Sequence, residues 1–366
     1  MYNQQTMMSQ YIAMSPEVAE RYLEAPLDAA SRRLVEVLAA GTPVVTTGNG
    51  TSFHLALLAA RYIQAYAGVE ARAVPSFDLA WYSPELTAGK TLIAVSHSGA
   101  TKATLDAIEA GRRFGPFVVG LSHSLDTKLA KASDLALALP GGREKALPKT
   151  MTFTTGAVQF LRLAAEAGRL RGRPSEPLGP AAAVREALAR ALETNRTVVD
   201  EAAHAWKDYE TFTFFGGGPA WVTAVEAALK MRENNYTVSE GYEVEEIAHG
   251  RTAPFQARRP VVGIILRGPS RERANDILAT ARYCGAPTMA VVEEGAEGGE
   301  SDHADFRLTV PRMPSEAAAA IAAVVPLQWF SHQYSVVNDI NPDSIRLDDP
   351  VHAYAENAWV FPPGTH

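Results

Sequence analysis

Residues 91–113 read TLIAVSHSGATKATLDAIEAGRR, and this stretch decides the fold. The apolar run Thr91–Val95 predicts a buried strand, and the amphipathic segment from Thr101 to Arg113 predicts a helix. Other short apolar segments alternate with predicted helices along the chain on both sides of this stretch. Such alternation is typical of a parallel sheet that is covered by helices on both faces, so we predict an α/β fold.

The first half of the chain follows this alternation throughout. Its predicted strands are 43–47, 71–74, 91–95, 117–121 and 135–139. Its predicted helices are 15–25, 27–40, 52–67, 101–113, 126–132 and 152–169.

The second half repeats the first. Predicted strands at 212–215 and 261–266 lead into helices at 219–234 and 273–284, and in both cases a glycine-rich turn lies between strand and helix. Pro116 and Pro287, like Pro140 and Pro311, occupy matching landmarks that are 171 positions apart. A shared offset indicates an internal duplication. We therefore predict an N-terminal helical segment, a first domain, a linker with one long helix, a second domain and a tail, over residues 1–26, 27–172, 173–206, 207–337 and 338–366.

The loop at 96–101 is rich in small hydrogen-bonding groups. The start of a helix attracts an anion, and Ser96, Ser98 and Thr101 add hydroxyl donors around Gly99. Serine and threonine are also ordinary helix caps, so the loop alone leaves phosphate binding and capping open. The segment Gly48–Ser52 has the same strand-to-helix position, but Phe53 occupies the place of the third glycine of a dinucleotide fingerprint.

The predicted helix 219–234 is apolar nearly all round, yet it carries Glu226, Lys230 and Glu233 on one stripe. These charges form either an ion ladder on a solvated edge or a catalytic carboxylate facing a bound sugar. Further along, Glu246 and His249 are three residues apart, so one helical turn would bring them together. A carboxylate that orients an imidazole is a common acid/base arrangement.

Composition excludes several classes of function. The net charge is −7 and no Lys/Arg block outweighs the acids, which argues against nucleic-acid and anionic-membrane partners. Cys284 is the only cysteine, and the nine histidines do not cluster, so neither a disulfide nor a zinc site is expected. The N-terminus has no signal-peptide pattern and the longest apolar run is too short for a membrane span, so we expect a cytoplasmic protein.

Taken together, the motifs resemble the sugar isomerase (SIS) domain in tandem, as in the isomerase half of glutamine–fructose-6-phosphate aminotransferase. The family's G-x-G-T-S and S-x-S-G-x-T motifs match Gly48–Ser52 and Ser96–Thr101, and its E-x-x-x-K-x-x-E helix and GExxHG segment match 226–233 and 245–250. The resemblance implies two flavodoxin-like, doubly wound α-β-α domains in a homodimer that shares its active site between subunits. It implies no metal or redox cofactor. Where the synthase has a lysine near its C-terminus, this chain has Leu347.

The resemblance also assigns roles. Glu233 would shuttle a proton between C1 and C2 of the sugar, His249 would help to open the ring in a neighbour's site, and Lys230 would line the pocket. The residues that it implies for binding the substrate and its phosphate are Gly50, Thr51, Ser52, Ser96, His97, Ser98, Gly99, Thr101 and Leu147.

The expected function is that of a phosphosugar isomerase or deaminase acting on a sugar or amino-sugar 6-phosphate. Because the N-terminus has no cysteine nucleophile, glutamine-dependent synthesis within this chain is not expected. One alternative is a fructosamine-6-phosphate deglycase. Another, of a different class, is a non-catalytic phosphosugar sensor, which would need the hydroxyl loop but not the Glu233–His249 pair.

Overall fold

The computed structural model describes residues 5–295 and 303–362, and its contacts divide the chain into two compact units. The first unit comprises residues 18–145, 151–181 and the described part of 349–366; the second comprises 5–17, 146–150 and the described part of 182–348. Parts of the predicted N-terminal segment, second domain and tail, namely 1–4, 296–302 and 363–366, lie outside the described residues.

The chain starts with helix α1 (Met7–Glu24), and the first unit then follows the predicted alternation. In chain order its elements are α2 (Ala29–Ala39), β1 (Val44–Thr47), α3 (Thr51–Tyr62), β2 (Ala71–Ala73), α4 (Ser76–Trp81), β3 (Thr91–Val95), α5 (Lys102–Arg112), β4 (Phe117–Ser122), α6 (Lys128–Ala132), β5 (Leu135–Ala138) and α7 (Met151–Leu170).

The five strands of the first unit form one parallel sheet with the order β2-β1-β3-β4-β5. Every residue of β1 and β3 is buried, because helices cover both faces of the sheet. One face packs Val45, Leu92 and Val118 against Leu79 and Ile108 of the covering helices. The predicted α/β class with a parallel sheet is therefore confirmed.

The second unit has the same plan. Its elements are α8 (Ala181–Glu193), α9 (Arg196–Ala205), β6 (Thr211–Gly216), α10 (Pro219–Asn235), β7 (Val238–Glu243), β8 (Val261–Ile265), α11 (Arg271–Tyr283), β9 (Thr288–Glu293), β10 (Phe306–Val310) and α12 (Glu316–Val337). The sheet order β10-β9-β8-β6-β7 is again 2-1-3-4-5 when the strands are numbered within the unit. A short helix, α13 (Pro350–Ala355), follows in the residues of the first unit.

The prediction of one long helix up to Trp206 is wrong, because the chain forms α8 and α9 with a break at Thr194 and Asn195. The buried Asn195 side chain donates to the carbonyl oxygens of Ala191 (2.7 Å) and Thr309 (2.8 Å), and it accepts from the Thr309 N–H (2.8 Å). The Asn195 side-chain amide thus pairs with both backbone groups of Thr309 in the outer strand β10. We attribute the break between α8 and α9 to this contact.

Two further differences have similar causes. Strand β7 was not predicted, because it lies at the sheet edge, pairs only with β6 and carries polar residues. Helix α1 begins at Met7 instead of Ser15, since the Asp343 carboxylate accepts the N–H groups of Met7 (2.9 Å) and Met8 (2.8 Å). Sequence periodicity cannot reveal a cap that comes from more than 300 positions away.

Among the helices of the described residues, none combines the length and the apolarity needed to cross a bilayer.

We predict that Asn195→Ala lowers the free energy of unfolding by about 1–2 kcal/mol, because it removes the hydrogen bonds of the buried Asn195 side chain to the half-buried backbone of Thr309. Urea-induced unfolding measures the loss. The neighbouring Thr194→Ala changes an exposed side chain and should stay within about 0.5 kcal/mol of the wild type. Equal losses in the two variants would show that the Asn195 bonds are unimportant.

Candidate functional site

The candidate site lies where the strand order of the first sheet reverses. The chain leaves β1 in one direction to β2, whereas β3 pairs with β1 on the other side, with Thr47 opposite Ala94. Ligands of open α/β sheets bind at such switch points, beyond the carboxyl ends of the strands. The loops that follow β1 and β3 are 48–50 and 96–101, so the structure brings the two predicted binding segments to this point.

The three hydroxyls of the 96–101 loop form a cluster. Ser96 Oγ lies 3.0 Å from Thr101 Oγ1 and 3.4 Å from Ser98 Oγ. Thr101 occupies the N-cap position of α5, yet its side chain makes no capping hydrogen bond. The capping interpretation therefore fails for Thr101, which leaves its hydroxyl directed into the cluster at a helix N-terminus.

Two glycines fix the shape of these loops. Gly99 has φ +64°, and a Cβ built on it would lie 2.4 Å from the Thr127 side chain. Gly50 has φ +55° and is the N-cap of α3 without any side-chain cap. Ser52 therefore does not cap α3, and this half-buried residue lies in the first helical turn beside the buried Thr51. Both loops thus depend on glycine at these positions, because another residue would be strained there.

The predicted phosphate ligand His97 has a buried ring. Its Nε2 accepts the backbone N–H of Glu144 (3.2 Å), and its Nδ1 lies 3.2 Å from Thr152 Oγ1. Because a backbone N–H can only donate, Nε2 carries no proton, and the neutral ring donates from Nδ1 to Thr152. The two ring nitrogens thus hold the loop before α7 and the first turn of α7, and contact of His97 with a phosphate stays a prediction.

The charged stripe of α10 is not a solvated ladder. Glu226 and Lys230 are fully buried, and Glu233 is about one quarter exposed. Lys230 Nζ lies 3.4 Å from Glu226 Oε1 and 2.5 Å from Glu233 Oε2. The ammonium therefore sits between two carboxylates, one of them inaccessible and the other reachable from solvent, so the predicted solvated-edge alternative is wrong.

His249 lies at the surface of the second unit. Its Nε2 is 3.6 Å from Glu245 Oε1, and Glu245 also accepts from Arg273 Nε at 2.8 Å. The paired carboxylate is thus Glu245; the expected pairing with Glu246 is wrong, because a short 3-10 turn over 246–248 follows β7 instead of an α-helical turn. The His249 side chain is 73% exposed in the single chain.

Leu147, predicted to line the pocket, lies in a segment that belongs to the second unit. Its N–H donates to the Asp343 carbonyl oxygen (3.1 Å), and its side chain is 42% exposed. The same Asp343 caps α1 through its carboxylate. The loop is therefore fixed by the C-terminal segment.

Part of the chain matches a known protein family. The family profile described as SIS domain matches residues 40–164, which include both loops of the switch point. This segment is therefore similar to the SIS domain. The resemblance inferred from the motifs is thereby confirmed for the first of the two predicted copies, whereas the second copy stays a prediction.

Similarity to whole proteins covers more of the chain than residues 40–164. Glutamine–fructose-6-phosphate aminotransferase [isomerizing] from Pyrococcus horikoshii is 29% identical over 86% of this chain and 52% of its own length. The chain thus spans about half the length of the curated relatives it matches.

Two solved structures share the fold. The C-terminal domain of glucosamine-fructose-6-phosphate aminotransferase from Francisella tularensis has a TM-score of 0.84 at 20% identity, over 93% of this chain and 98% of that one. Glucosamine-6-phosphate deaminase from Thermotoga maritima has a TM-score of 0.74 at 21% identity, over 93% and 97%.

Sequence reasoning missed a chain of polar side chains behind the SIS-domain loops. Thr47 Oγ1 lies 3.1 Å from Ser76 Oγ, which lies 3.3 Å from Thr104 Oγ1, and Asn49 Nδ2 donates to Thr104 at 3.2 Å. These bonds tie the end of β1 to the first turns of α4 and α5. The only sequence signal for this chain of hydrogen bonds was the polar residue Asn49 between the two glycines of the Gly48–Ser52 motif.

A cavity of about 540 Å³ borders the two SIS-domain loops. It is lined by Asn49, Phe77, Trp81, Thr101, Lys102, Ala103, Asp106, Val360 and Phe361. The Phe77 and Trp81 side chains are more than half exposed. The cavity thus has a polar end at the loops and an aromatic wall formed by α4.

Over residues 5–295 and 303–362, no group of three or more His, Cys, Asp or Glu side chains is arranged to hold a metal ion.

We predict that Lys230→Met costs about 3–5 kcal/mol of unfolding free energy, because it leaves the buried Glu226 without its cation. Adding Glu226→Gln should restore part of the loss. Chemical denaturation measures both changes. Lys102→Met is the matched control, since Lys102 pairs with Asp106 at the surface of the SIS domain and should cost at most about 1 kcal/mol. A loss as small as that of the control would contradict a structural role for the ion triad.

Proposed function

We propose that this chain is an enzyme that transfers a proton between neighbouring carbons of a sugar or amino-sugar 6-phosphate, as an isomerase or deaminase. The observation that carries the proposal is the hydroxyl cluster at the switch point, in which Thr101 occupies a cap position without capping. Hydroxyl and amide donors at a helix start suit a phosphate monoester. The sugar phosphates named in the similar aminotransferase and deaminase support the substrate class.

On this proposal, both units are flavodoxin-like and the second unit is a second SIS domain. The common strand order 2-1-3-4-5 supports this assignment, since it is the flavodoxin order. The equal spacing of the proline landmarks supports it independently.

The hydroxyls of Ser96, Ser98 and Thr101 hold the phosphate, and the backbone of Gly50–Ser52 approaches the sugar. Anchoring the phosphate supplies binding energy that positions the reacting carbons. The proposal assigns no step to a metal or a redox cofactor, because the substrate's own carbonyl or imine acidifies the neighbouring C–H bond.

Glu233 is the proton shuttle. Its carboxylate takes the proton from C2 of the open-chain aldose, the C–H electron pair forms the C1–C2 double bond, and the carbonyl π bond breaks as O1 gains a proton from water, which gives an enediol. The hydroxyl on C2 then loses its proton to water and becomes the carbonyl, while Glu233 returns its proton to C1. Partial exposure makes Glu233 reachable, and Lys230 holds its carboxylate in position. With an amino sugar the product is an imine, which water hydrolyses to a ketose and ammonia.

In ring opening, His249 donates a proton to the ring oxygen as the bond from C1 to that oxygen breaks, and the C1 hydroxyl loses its proton to water as the C1 carbonyl forms. Since Leu347 stands where the synthase has a lysine, His249 alone carries out this step. In a homodimer, the exposed His249 of one subunit would serve the partner's site.

The test incubates the protein with glucosamine 6-phosphate and fructose 6-phosphate in deuterated water. We expect solvent deuterium at C1 or C2, and Glu233→Gln should slow exchange by about 10²–10⁴-fold. Thr101→Val should weaken binding by about tenfold or more while exchange at saturation is largely kept. The control is Glu272→Gln, an exposed charge on α11. Binding of these sugars without exchange would favour the sensor.

The cavity beside the loops favours a second candidate, the fructosamine-6-phosphate deglycase. Such a substrate carries an amino acid on its amino group, and a simple hexose phosphate has nothing to place against Phe77 and Trp81. The cavity joins an apolar wall to Asn49 and Thr101. An N-linked substituent could therefore lie on the wall while the phosphate binds the hydroxyl cluster.

We predict that Trp81→Ala lowers the affinity for an N-substituted fructosamine 6-phosphate by about tenfold or more and leaves glucosamine 6-phosphate unaffected. Calorimetric titration of both ligands measures this difference. Tyr82→Ala is the control, because Tyr82 is an exposed aromatic neighbour that does not line the cavity. If both ligands lose affinity equally, the cavity does not recognise the substituent.

A further inference from the structure

The second unit repeats the switch point of the first. Strands β6 and β8 are neighbours, with Gly216 opposite Ile264, and glycine-rich turns lead from them into α10 and α11. Gly218, the N-cap of α10, has φ +53° and ψ −127°, close to the φ +55° and ψ −133° of Gly50. The two turns are therefore built on the same backbone plan.

The close approach within the turn is also repeated. A Cβ on Gly216 would lie 2.7 Å from the Ala220 carbonyl oxygen, just as a Cβ on Gly48 would lie 2.6 Å from the Ser52 carbonyl. Helices α10 and α11 have 17 and 13 residues, and their N-termini both follow these turns. Each helix start carries a partial positive charge, so this edge of the second sheet attracts an anion, as in the first unit.

What fills this space is a carboxylate of the chain itself. A Cβ on Gly268 would lie 2.5 Å from Glu316 Oε2 and 2.6 Å from Oε1, and a Cβ on Gly218 would lie 3.5 Å from Oε1. The Glu316 carboxylate thus rests against both glycines, where no side chain could stand. The loop after β8, which contains Gly268, corresponds to the 96–101 loop after β3 in the first unit, and that loop carries serine and threonine hydroxyls instead.

Glu316 is delivered by a rigid element. It is the first residue of α12, whose N-cap Ser315 accepts the Ala318 N–H at 3.1 Å. The helix is 22 residues long, and all residues from Ala317 to Ser335 are buried. The position of the carboxylate is therefore fixed by the core of the second unit.

We propose that the second unit contains an anion site and that Glu316 is its built-in ligand. The site would accept a small oxyanion, such as a carboxylate or sulfate, once the Glu316 carboxylate is removed. With Glu316 in place, an external phosphate ester meets a negative charge and occupied space. The two repeats thus carry the same anion cradle, one lined for an external ligand and the other filled internally.

The test is rescue of a Glu316→Ala variant by acetate, which restores the missing carboxylate. We expect this variant to melt about 2–4 °C below the wild type, because it loses an anion at two helix starts. Sodium acetate should recover at least half of that loss relative to sodium chloride at equal ionic strength. Wild type and Glu272→Ala should show no such gain; Glu272 has the same charge in the first turn of α11 but is exposed.

Two further variants secure the result. Glu316→Gln keeps the side-chain shape, so it serves if Glu316→Ala fails to fold; it should lose stability but gain little from acetate, since its amide still fills the site. Gly268→Ala in the Glu316→Ala background should abolish rescue, because its Cβ takes the place of the bound carboxylate. Equal acetate shifts in wild type, Glu272→Ala and Glu316→Ala, or a Glu316→Ala variant as stable as Glu272→Ala, would overturn the proposal. None of these outcomes depends on whether the first unit binds a sugar phosphate.

Discussion

The positive ends of paired helices at the carboxyl edge of each parallel sheet are the constraint on which the rest of the molecule depends. The connections that follow two neighbouring parallel strands lead in opposite directions from the switch point, so the helices after these strands begin side by side, and the free N–H groups of the helix starts need an acceptor. In each unit glycines open this space by letting the backbone approach closely. The group that lies near these N–H groups differs between the two units.

In the first unit the groups at this edge are neutral hydroxyls, which can both donate and accept. They bond to one another at about hydrogen-bond distance and can exchange those bonds for bonds to a ligand. In the second unit the corresponding group is a fixed carboxylate, and the charged chemistry lies instead on the buried helix α10. There Lys230 neutralises the inaccessible Glu226 and also contacts Glu233, so the reachable carboxylate is held by a charge that folding already requires. Stability and the proposed chemistry thus share one ammonium group.

The alternation of apolar strands and helices was sufficient to predict the class and most element positions, because burial in a parallel sheet depends on local patterns. Features set by distant contacts could not be predicted. The residues around Asn195 form helices on both sides, and only Thr309 explains the break. The polar β7 is a strand because of its place at the edge. In the candidate site, the hydroxyl loop and the α10 stripe were recognisable from their residue types. The hydrogen bonds of the His97 ring to Glu144 and Thr152, and the contact of the Glu316 carboxylate with Gly218 and Gly268, depend on partners that are far away in sequence.

The path of the backbone through the two units has a consequence for how this protein can be divided into fragments. Residues 146–150 belong to the second unit although both flanking segments belong to the first, and Gln328 secures them by donating to the Thr150 carbonyl oxygen. The chain returns to the first unit after Asp348. Neither repeat is therefore a continuous piece of polypeptide, and no single cut separates them into autonomous folding modules.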